Sequence, residues 1–326
     1  MKIAAPVSSV KEAEMLVSFG ANELYCGFNP EKWHNKFKEL WINRRDPLIA
    51  NFNSWRELEG VVKIAHQNNI PVSITFNAPF YPQTTIGYLL NFIEKLVSKV
   101  AIDAVIVSDL NLIICLRGEK FPVRIHLSSL GSCFNSETVL FYHDLGVKRI
   151  ILPRQLRLSE IKELTDKTKC NMEFEVFAVN DGCYYEEGFC QTSHAFGPFC
   201  MTDRKIENYE FAKKQSDPLE LKNLKKLESG YLWYQNNCGC SYQADGLPNG
   251  PCSLCWFADF RDWGIDAVKI VGREASFYRK MRSLQMVKAV IDETEKGCDS
   301  KEISNFARVM RNTPEYCASG YLCYFR

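Results

Sequence analysis

The chain has 326 residues, of which 46% are hydrophobic and 24% are charged, the composition of an ordinary globular domain. The 40 Lys and Arg residues against 39 Asp and Glu leave a net charge of +1. This balance excludes binding of nucleic acid through bulk positive charge, but it does not exclude a local basic patch. No apolar run reaches the roughly 18 residues of a membrane span, and the first residues lack the apolar run of a signal peptide. We therefore expect a cytoplasmic protein with no membrane partner.

Short apolar segments alternate with segments of helical periodicity along the chain. Strands are predicted over residues 2–7, 23–28, 71–77, 104–108, 123–128, 147–152, 172–179 and 267–271. Helices are predicted over residues 10–19, 54–67, 87–99, 137–145, 159–166 and 274–295. Strands separated by helices favour parallel pairing with right-handed crossovers, so the sequence predicts a (β/α)8 TIM-like barrel. The alternative, an open doubly wound sheet, is disfavoured because no glycine-rich loop follows the first strand.

The predicted barrel forms a single domain over residues 1–326, with a long cysteine-rich insertion at about residues 181–262. This insertion lies between the seventh and eighth strands. A connection of that length is usually functional or a subdomain of its own. The sequence has 14 cysteines, and half of them fall in this insertion: Cys183, Cys190, Cys200, Cys238, Cys240, Cys252 and Cys255.

Thiols at this density in a reducing compartment indicate metal binding rather than disulfides. Two loose groups without paired CxxC motifs fit an iron–sulfur cluster better than a zinc ribbon. Zinc stays an alternative, because Cys238 and Cys240 with Cys252 and Cys255 would make an all-thiolate tetrahedral set. Inert, buried cysteine packing is the simpler alternative.

Several polar side chains follow or lie in the predicted strands, and the carboxyl ends of barrel strands are where chemistry takes place. His126 is a candidate for proton transfer, with a hydrogen-bonded core histidine as its alternative. Arg154 and Arg273 are candidate anion-binding residues, with structural salt bridges as the alternative. Glu173 and Glu175 share one face of a strand. If that face is the barrel interior, we expect at least one of the two to pair with a Lys or Arg of a neighbouring strand.

Four stretches together resemble the U32 family, whose members many annotations describe as collagenase-like peptidases. Residues 126–136 resemble its H-x-S-T-Q-x-x-x-x-N-S stretch, and residues 145–154 resemble L-G-V-x-R-V-V-L-x-R. Residues 175–190 resemble E-V-F-x-H-G-x-x-C-x-x-Y-S-G-R-C, and residues 264–273 resemble G-I-D-S-x-K-I-E-G-R. The resemblance covers most of the chain and is strongest from about residue 123 to 290.

The resemblance implies a [4Fe–4S] cluster on four cysteines. Cys183 and Cys190 match the first two ligands of the family, and Cys200 is the best match for the third. Cys252 is the best match for the fourth, because it lies 17 residues before Lys269, as the corresponding cysteine does in the family. The other candidates for the fourth ligand are Cys238, Cys240 and Cys255.

Members of the family act in oxygen-independent hydroxylation of a quinone precursor or of RNA bases. The resemblance therefore implies an iron–sulfur redox enzyme that hydroxylates a small molecule or a nucleic-acid base, with His126, Arg154, Glu175 and Arg273 as its catalytic candidates. One alternative is a metal-dependent, collagenase-like peptidase acting on a peptide, although the sequence has no HExxH or GxSxG motif. Another alternative is a non-catalytic partner subunit of a related U32 protein.

The sequence departs from the family pattern at four positions. Leu130 replaces a Gln, Val179 replaces a His, Phe189 replaces a basic residue and Val271 replaces a Glu. These departures imply a substrate, or even a reaction, that differs from that of the studied members.

Overall fold

A computed structural model describes residues 1–37, 40–45, 50–119, 121–168, 171–180, 242–320 and 323–325, with a few single positions between 219 and 229. Eight parallel strands close into a barrel in sequence order, which confirms the predicted TIM-like architecture. The strands are β1 (Lys2–Pro6), β2 (Glu23–Cys26), β3 (Val72–Phe76), β4 (Ala104–Val107), β5 (Arg124–Leu127), β6 (Arg149–Ile151), β7 (Glu173–Val179) and β8 (Ala267–Ile270).

Helices surround this barrel. Those described are α1 (Val10–Ser18), α2 (Glu31–Lys36), α3 (Trp55–Gln67), α4 (Gln83–Lys95), α5 (Leu110–Glu119), α6 (Ser136–Asp144), α7 (Leu158–Lys167), α8 (Phe257–Asp262), α9 (Phe277–Thr294), α10 (Ser300–Arg311) and α11 (Pro314–Ser319). In the described residues, no helix has both the length and the apolar character needed to cross a membrane.

Local sequence explains where several helices begin. Ser9, Ser54 and Asn135 precede α1, α3 and α6, and each side chain accepts a hydrogen bond from a backbone N–H in the first turn. Such a cap contributes about 1 kcal/mol. The predicted helix over 87–99 begins earlier, directly after Pro82, and continues into a π-helical turn over Leu96–Val100.

The insertion predicted between the seventh and eighth strands contains described residues in its second half. Residues 242–262 include α8, which packs against α9 and α10 beside the barrel. The part of the insertion before residue 242, apart from the single positions between 219 and 229, lies outside the described residues, and with it Cys183, Cys190, Cys200, Cys238 and Cys240.

The barrel interior has an apolar layer and a charged layer. Its apolar cluster consists of Ala4, Tyr25, Ile106, Ile151, Phe177 and Val271. Towards the amino end of the strands, Arg149 forms hydrogen bonds with Glu23, Glu173 and Glu175. Lys269, Arg124 and Lys2 pair with the same carboxylates, so the charges of this layer compensate one another. The opposite, carboxyl end of the strands is here called the mouth, and it is the end at which such barrels have their functional sites.

Candidate active site

Arg273 follows β8 and is buried at the mouth, with 5% of its surface exposed. Its Nη1 donates to Thr75 Oγ1 at 2.8 Å, and its Nη2 donates to Asn43 Oδ1 at 3.0 Å. Among the described residues, the side chains that accept its hydrogen bonds, those of Thr75, Asn43 and Asn51, are neutral. Burial lowers the pKa of Arg273 to about 10, so the guanidinium stays charged at neutral pH. A buried cation held by neutral groups is a suitable binding site for the anionic group of a ligand.

A glycine makes room for this arrangement. A Cβ atom on Gly27 would lie 1.9 Å from Asn51 Oδ1 and 2.2 Å from Arg273 Nη1. No side chain fits at such distances, so the residue after β2 has to be glycine for Arg273 to reach its partners.

Other arginines lie in loops at the same end of the barrel. Arg154 follows β6 and is 9% exposed, and its Cζ lies 5.6 Å from the centre of the Phe177 ring, a cation–π distance. Arg44 and Arg45 lie in the loop after β2, and Arg45 Nη1 is 3.7 Å from Glu274 Oε2. Loops after three different strands therefore bring arginines to the mouth.

His126 lies on β5 inside the barrel and is 3% exposed. Within the described part of the chain, its Nε2 has no hydrogen-bond partner. Burial lowers the pKa of His126 well below the usual 6.5, and the nearby charges of Arg149, Arg124 and Lys269 lower it further. The imidazole is therefore neutral at physiological pH, the form that can accept a proton.

Glu175 has a cation on each side. Lys269 Nζ donates to its Oε1 at 2.8 Å, and Arg149 Nη1 donates to its Oε2 at 3.0 Å. These partners come from the neighbouring strands β8 and β6, which confirms the expected pairing. Burial alone would raise the pKa of Glu175, but Lys269 and Arg149 outweigh burial and lower it. Lys269 Nζ also lies 3.8 Å from the centre of the Tyr25 ring.

Cys252 is the one predicted cluster ligand within the described residues. It is buried, and its backbone pairs with Val179 at the end of β7 and with Cys323. Burial raises the pKa of its thiol to about 12. The backbone N–H of Asn180 donates to Pro251 at 3.0 Å, so Cys252 lies beside the point from which the chain leads to Cys183. This position fits a ligand shared with the cysteines that follow β7.

Cys183, Cys190 and Cys200 lie outside the described residues. Within the described residues, no group of three or more His, Cys, Asp or Glu side chains is placed so as to hold a metal ion. The rival thiol Cys255 is half-buried, and its Sγ lies 3.8 Å from the carbonyl oxygen of Ser304.

Sequence reasoning missed several residues of the mouth. Asn43, Arg44 and Asn51 lie between β2 and α3, in a stretch for which the sequence predicted no element. The polar run Asn43-Arg44-Arg45 between the predicted strands 23–28 and 71–77 was the available signal. Tyr324 was also missed, because nothing in the local sequence connects it to the barrel.

Comparison with known proteins identifies the family. The family model described as peptidase family U32 matches residues 8–325. The chain belongs to peptidase family U32.

Curated U32 relatives have several names. An uncharacterized protease of Methanocaldococcus jannaschii is 29% identical over 60% of this chain and 45% of its own length. The tRNA hydroxylation protein P of Escherichia coli is 30% identical over 59% of this chain and 39% of its own length. The 23S rRNA 5-hydroxycytidine synthase of Escherichia coli is 25% identical over 74% of this chain and 34% of its own length. This U32 chain thus matches less than half the length of each of these three proteins.

Proposed function

We propose that this U32 protein is an iron–sulfur redox enzyme that hydroxylates a base in RNA, or a small molecule, without molecular oxygen. The main support is the mouth of the barrel, where three connections bring arginines and where Arg154 lies over Phe177 of the apolar interior cluster. Guanidinium groups bind phosphate and carboxylate, and an apolar floor suits a planar ring. The names of the tRNA and rRNA hydroxylation relatives support the same class of substrate.

Each predicted residue has a role in this proposal. Arg273 and Arg154 bind anionic groups of the substrate or of a second reactant. Neutral His126 accepts a proton as the C–H bond is replaced. Glu175 is a positioning residue, because its carboxylate fixes Lys269 next to Tyr25 and does not itself reach the mouth.

The reaction needs an electron acceptor. Replacing a C–H hydrogen by a hydroxyl group from water removes two electrons from the substrate and releases two protons, one from the C–H bond and one from the water. We propose that Cys183, Cys190, Cys200 and Cys252 hold a [4Fe–4S] cluster, with a zinc site as the alternative. Such a cluster supplies electron transfer between the substrate and an external two-electron acceptor.

The metal is tested on protein purified without oxygen. About four irons and four sulfides per chain, with a brown colour, would support the cluster. A colourless protein with one zinc would reject it. Cys252→Ser should lower the iron content, whereas Cys298→Ser, at a half-exposed thiol of the same chain, should leave it unchanged. Equal iron content in both variants would remove Cys252 from the ligand set.

The reaction is tested in RNA. Nucleosides from cells with and without the gene are compared by mass spectrometry, and we expect one hydroxylated nucleoside to disappear with the gene. The wild-type gene should restore it, and Arg273→Met and His126→Ala should not. An unchanged nucleoside profile in the deletion strain would refute RNA as the substrate, and a small-molecule substrate would then be sought by the same comparison of metabolites.

One contact in the structure is relevant to the alternative that the protein is a peptidase. Lys280 Nζ donates to Ser8 Oγ at 2.6 Å, the pairing of a Ser–Lys nucleophile. Burial lowers the pKa of Lys280, but the same Nζ lies 2.9 Å from Glu12 Oε2, whose negative charge favours the ammonium form, which has no lone pair with which to activate the serine. We therefore expect no cleavage of casein or gelatin by the purified protein, with or without chelator.

A further inference from the structure

Residues 323–325 are anchored on both sides beside β7. Cys323 pairs with Cys252 in a parallel bridge, and the Tyr324 backbone N–H donates to the Cys252 carbonyl at 3.1 Å. On the other side, the Phe325 ring lies 5.8 Å from that of Phe260 in α8, and Phe325 is buried. The anchors fix the backbone of the residue between them, so the position of the Tyr324 side chain is defined by the fold.

This anchoring brings Tyr324 to the barrel interior. The side chain is partly buried and packs against the apolar cluster inside the barrel. Its ring centre lies 6.3 Å from that of Phe177, with 38° between the ring planes. The guanidinium of Arg154 lies on the same Phe177 ring. A residue far from β7 in sequence therefore adds a second aromatic ring to the mouth, next to a cation.

Aromatic rings and a guanidinium side by side are the groups with which proteins bind unpaired nucleobases. Every base has a π-face that stacks on an aromatic side chain, and arginine adds cation–π attraction and binds phosphate. A tyrosine offers this surface at a small entropic cost, because its side chain has only two rotatable bonds.

We propose that Tyr324 is the specificity-determining wall of the mouth, on which a single unpaired RNA base stacks while Arg154 binds the adjoining phosphate. This inference rests on the proposed function and adds to it the residue that selects a planar base.

The test separates stacking from charge. Two fluorescein-labelled single-stranded RNAs of about 12 nucleotides are used, one with bases and one with abasic positions throughout. Their binding is measured by fluorescence anisotropy on the full-length protein purified without oxygen. Tyr324→Leu removes the ring but keeps an apolar side chain to hold residues 323–325 in place. Tyr324→Phe keeps the ring. Phe141→Leu, at a half-exposed aromatic residue on α6, is the matched control.

We expect Tyr324→Leu to weaken binding of the base-containing RNA at least fivefold, and to leave binding of the abasic RNA unchanged. Tyr324→Phe and Phe141→Leu should bind both RNAs like the wild type. Unchanged binding of the base-containing RNA by Tyr324→Leu would overturn the role of Tyr324 and leave the proposed hydroxylation standing. Equal loss for both RNAs would also overturn it. A wild type that binds neither RNA would overturn both the role of Tyr324 and RNA as the substrate.

Discussion

Replacing Arg149 by Met tests the charged layer at the amino end of the barrel. The guanidinium is 1% exposed and forms hydrogen bonds with three carboxylates, those of Glu23, Glu173 and Glu175. Methionine has a similar volume and no charge, so the change removes the cation and leaves no large cavity. The three carboxylates then remain inside the barrel with fewer partners.

The cations that still pair with the three carboxylates determine how much the free energy of unfolding falls. Glu175 keeps Lys269 at 2.8 Å, Glu173 keeps Arg124 at 2.6 Å, and Glu23 keeps only the half-exposed Lys2 at 3.4 Å. Removing one partner of a buried ion pair costs about 3–5 kcal/mol. Because every carboxylate retains a cation, we expect a loss near the lower limit, about 3 kcal/mol, in the free energy of unfolding.

The stability lost in Arg149→Met should depend on pH in a direction that the structure defines. Arg149 helps to lower the pKa of Glu173 and of Glu175 in the folded state, against the effect of burial. The stability that these groups contribute is present above the unfolded-state pKa of about 4.3 and is lost as the pH falls through the lower folded-state pKa. The difference between wild type and variant should therefore be largest near pH 7 and should shrink in acid.

Urea denaturation followed by circular dichroism measures both effects. Lys162→Met, which removes an exposed ion pair with Asp166, is the matched control and should leave the free energy of unfolding unchanged. Adding Glu23→Gln to Arg149→Met should recover part of the loss, because Glu23 is the carboxylate left with only the half-exposed Lys2 nearby. A loss below about 1 kcal/mol at pH 7, or one independent of pH, would refute the argument.

Three further predictions concern the mouth. Gly27→Ala should destabilise the protein by about 1–3 kcal/mol in urea denaturation, since its Cβ would meet Arg273 and Asn51, whereas Gly87→Ala on α4, where a Cβ meets open space, should be neutral or stabilising. Lys280→Met should cost about 3 kcal/mol by leaving the Glu12 carboxylate buried without its cation, and Glu12→Gln in the same chain should recover part of this loss. Because burial and nearby cations lower the pKa of His126, its NMR signals should not titrate between about pH 5 and 8, and a midpoint near 6.5 would contradict the buried position.

The barrel could be predicted from sequence because its signals are local. Most strands contain a short apolar run, as expected when both faces are buried, and helical periodicity separates most of these runs. Helix α5 was not predicted, because apolar side chains lie around most of its surface and its sequence therefore shows no clear helical periodicity. Helix α8 was not predicted, because it follows the cysteine-rich stretch directly and has only six residues.

The candidate residues were partly predictable for the same reason. The ends of predicted strands identified His126, Arg154 and Arg273 as residues near one end of a barrel. The alternation along β7 put Glu173 and Glu175 on one face, and the structure showed that Glu175 lies in the interior. The Cys183 to Cys200 group was visible from spacing and resemblance alone, and it stays a prediction.

The sequence by itself thus determined the order of strands and helices, the barrel and the chemical types available at its mouth. Tertiary structure alone decided which of these groups meet. Arg149 contacts Glu23 from a strand 126 residues away, Arg273 lies against Thr75 and Asn43, and Tyr324 reaches Phe177. Such pairs are set by the closure of the barrel and by the docking of residues 323–325 on Cys252. These are long-range events, and the residues next to each partner in the chain hold no information about them.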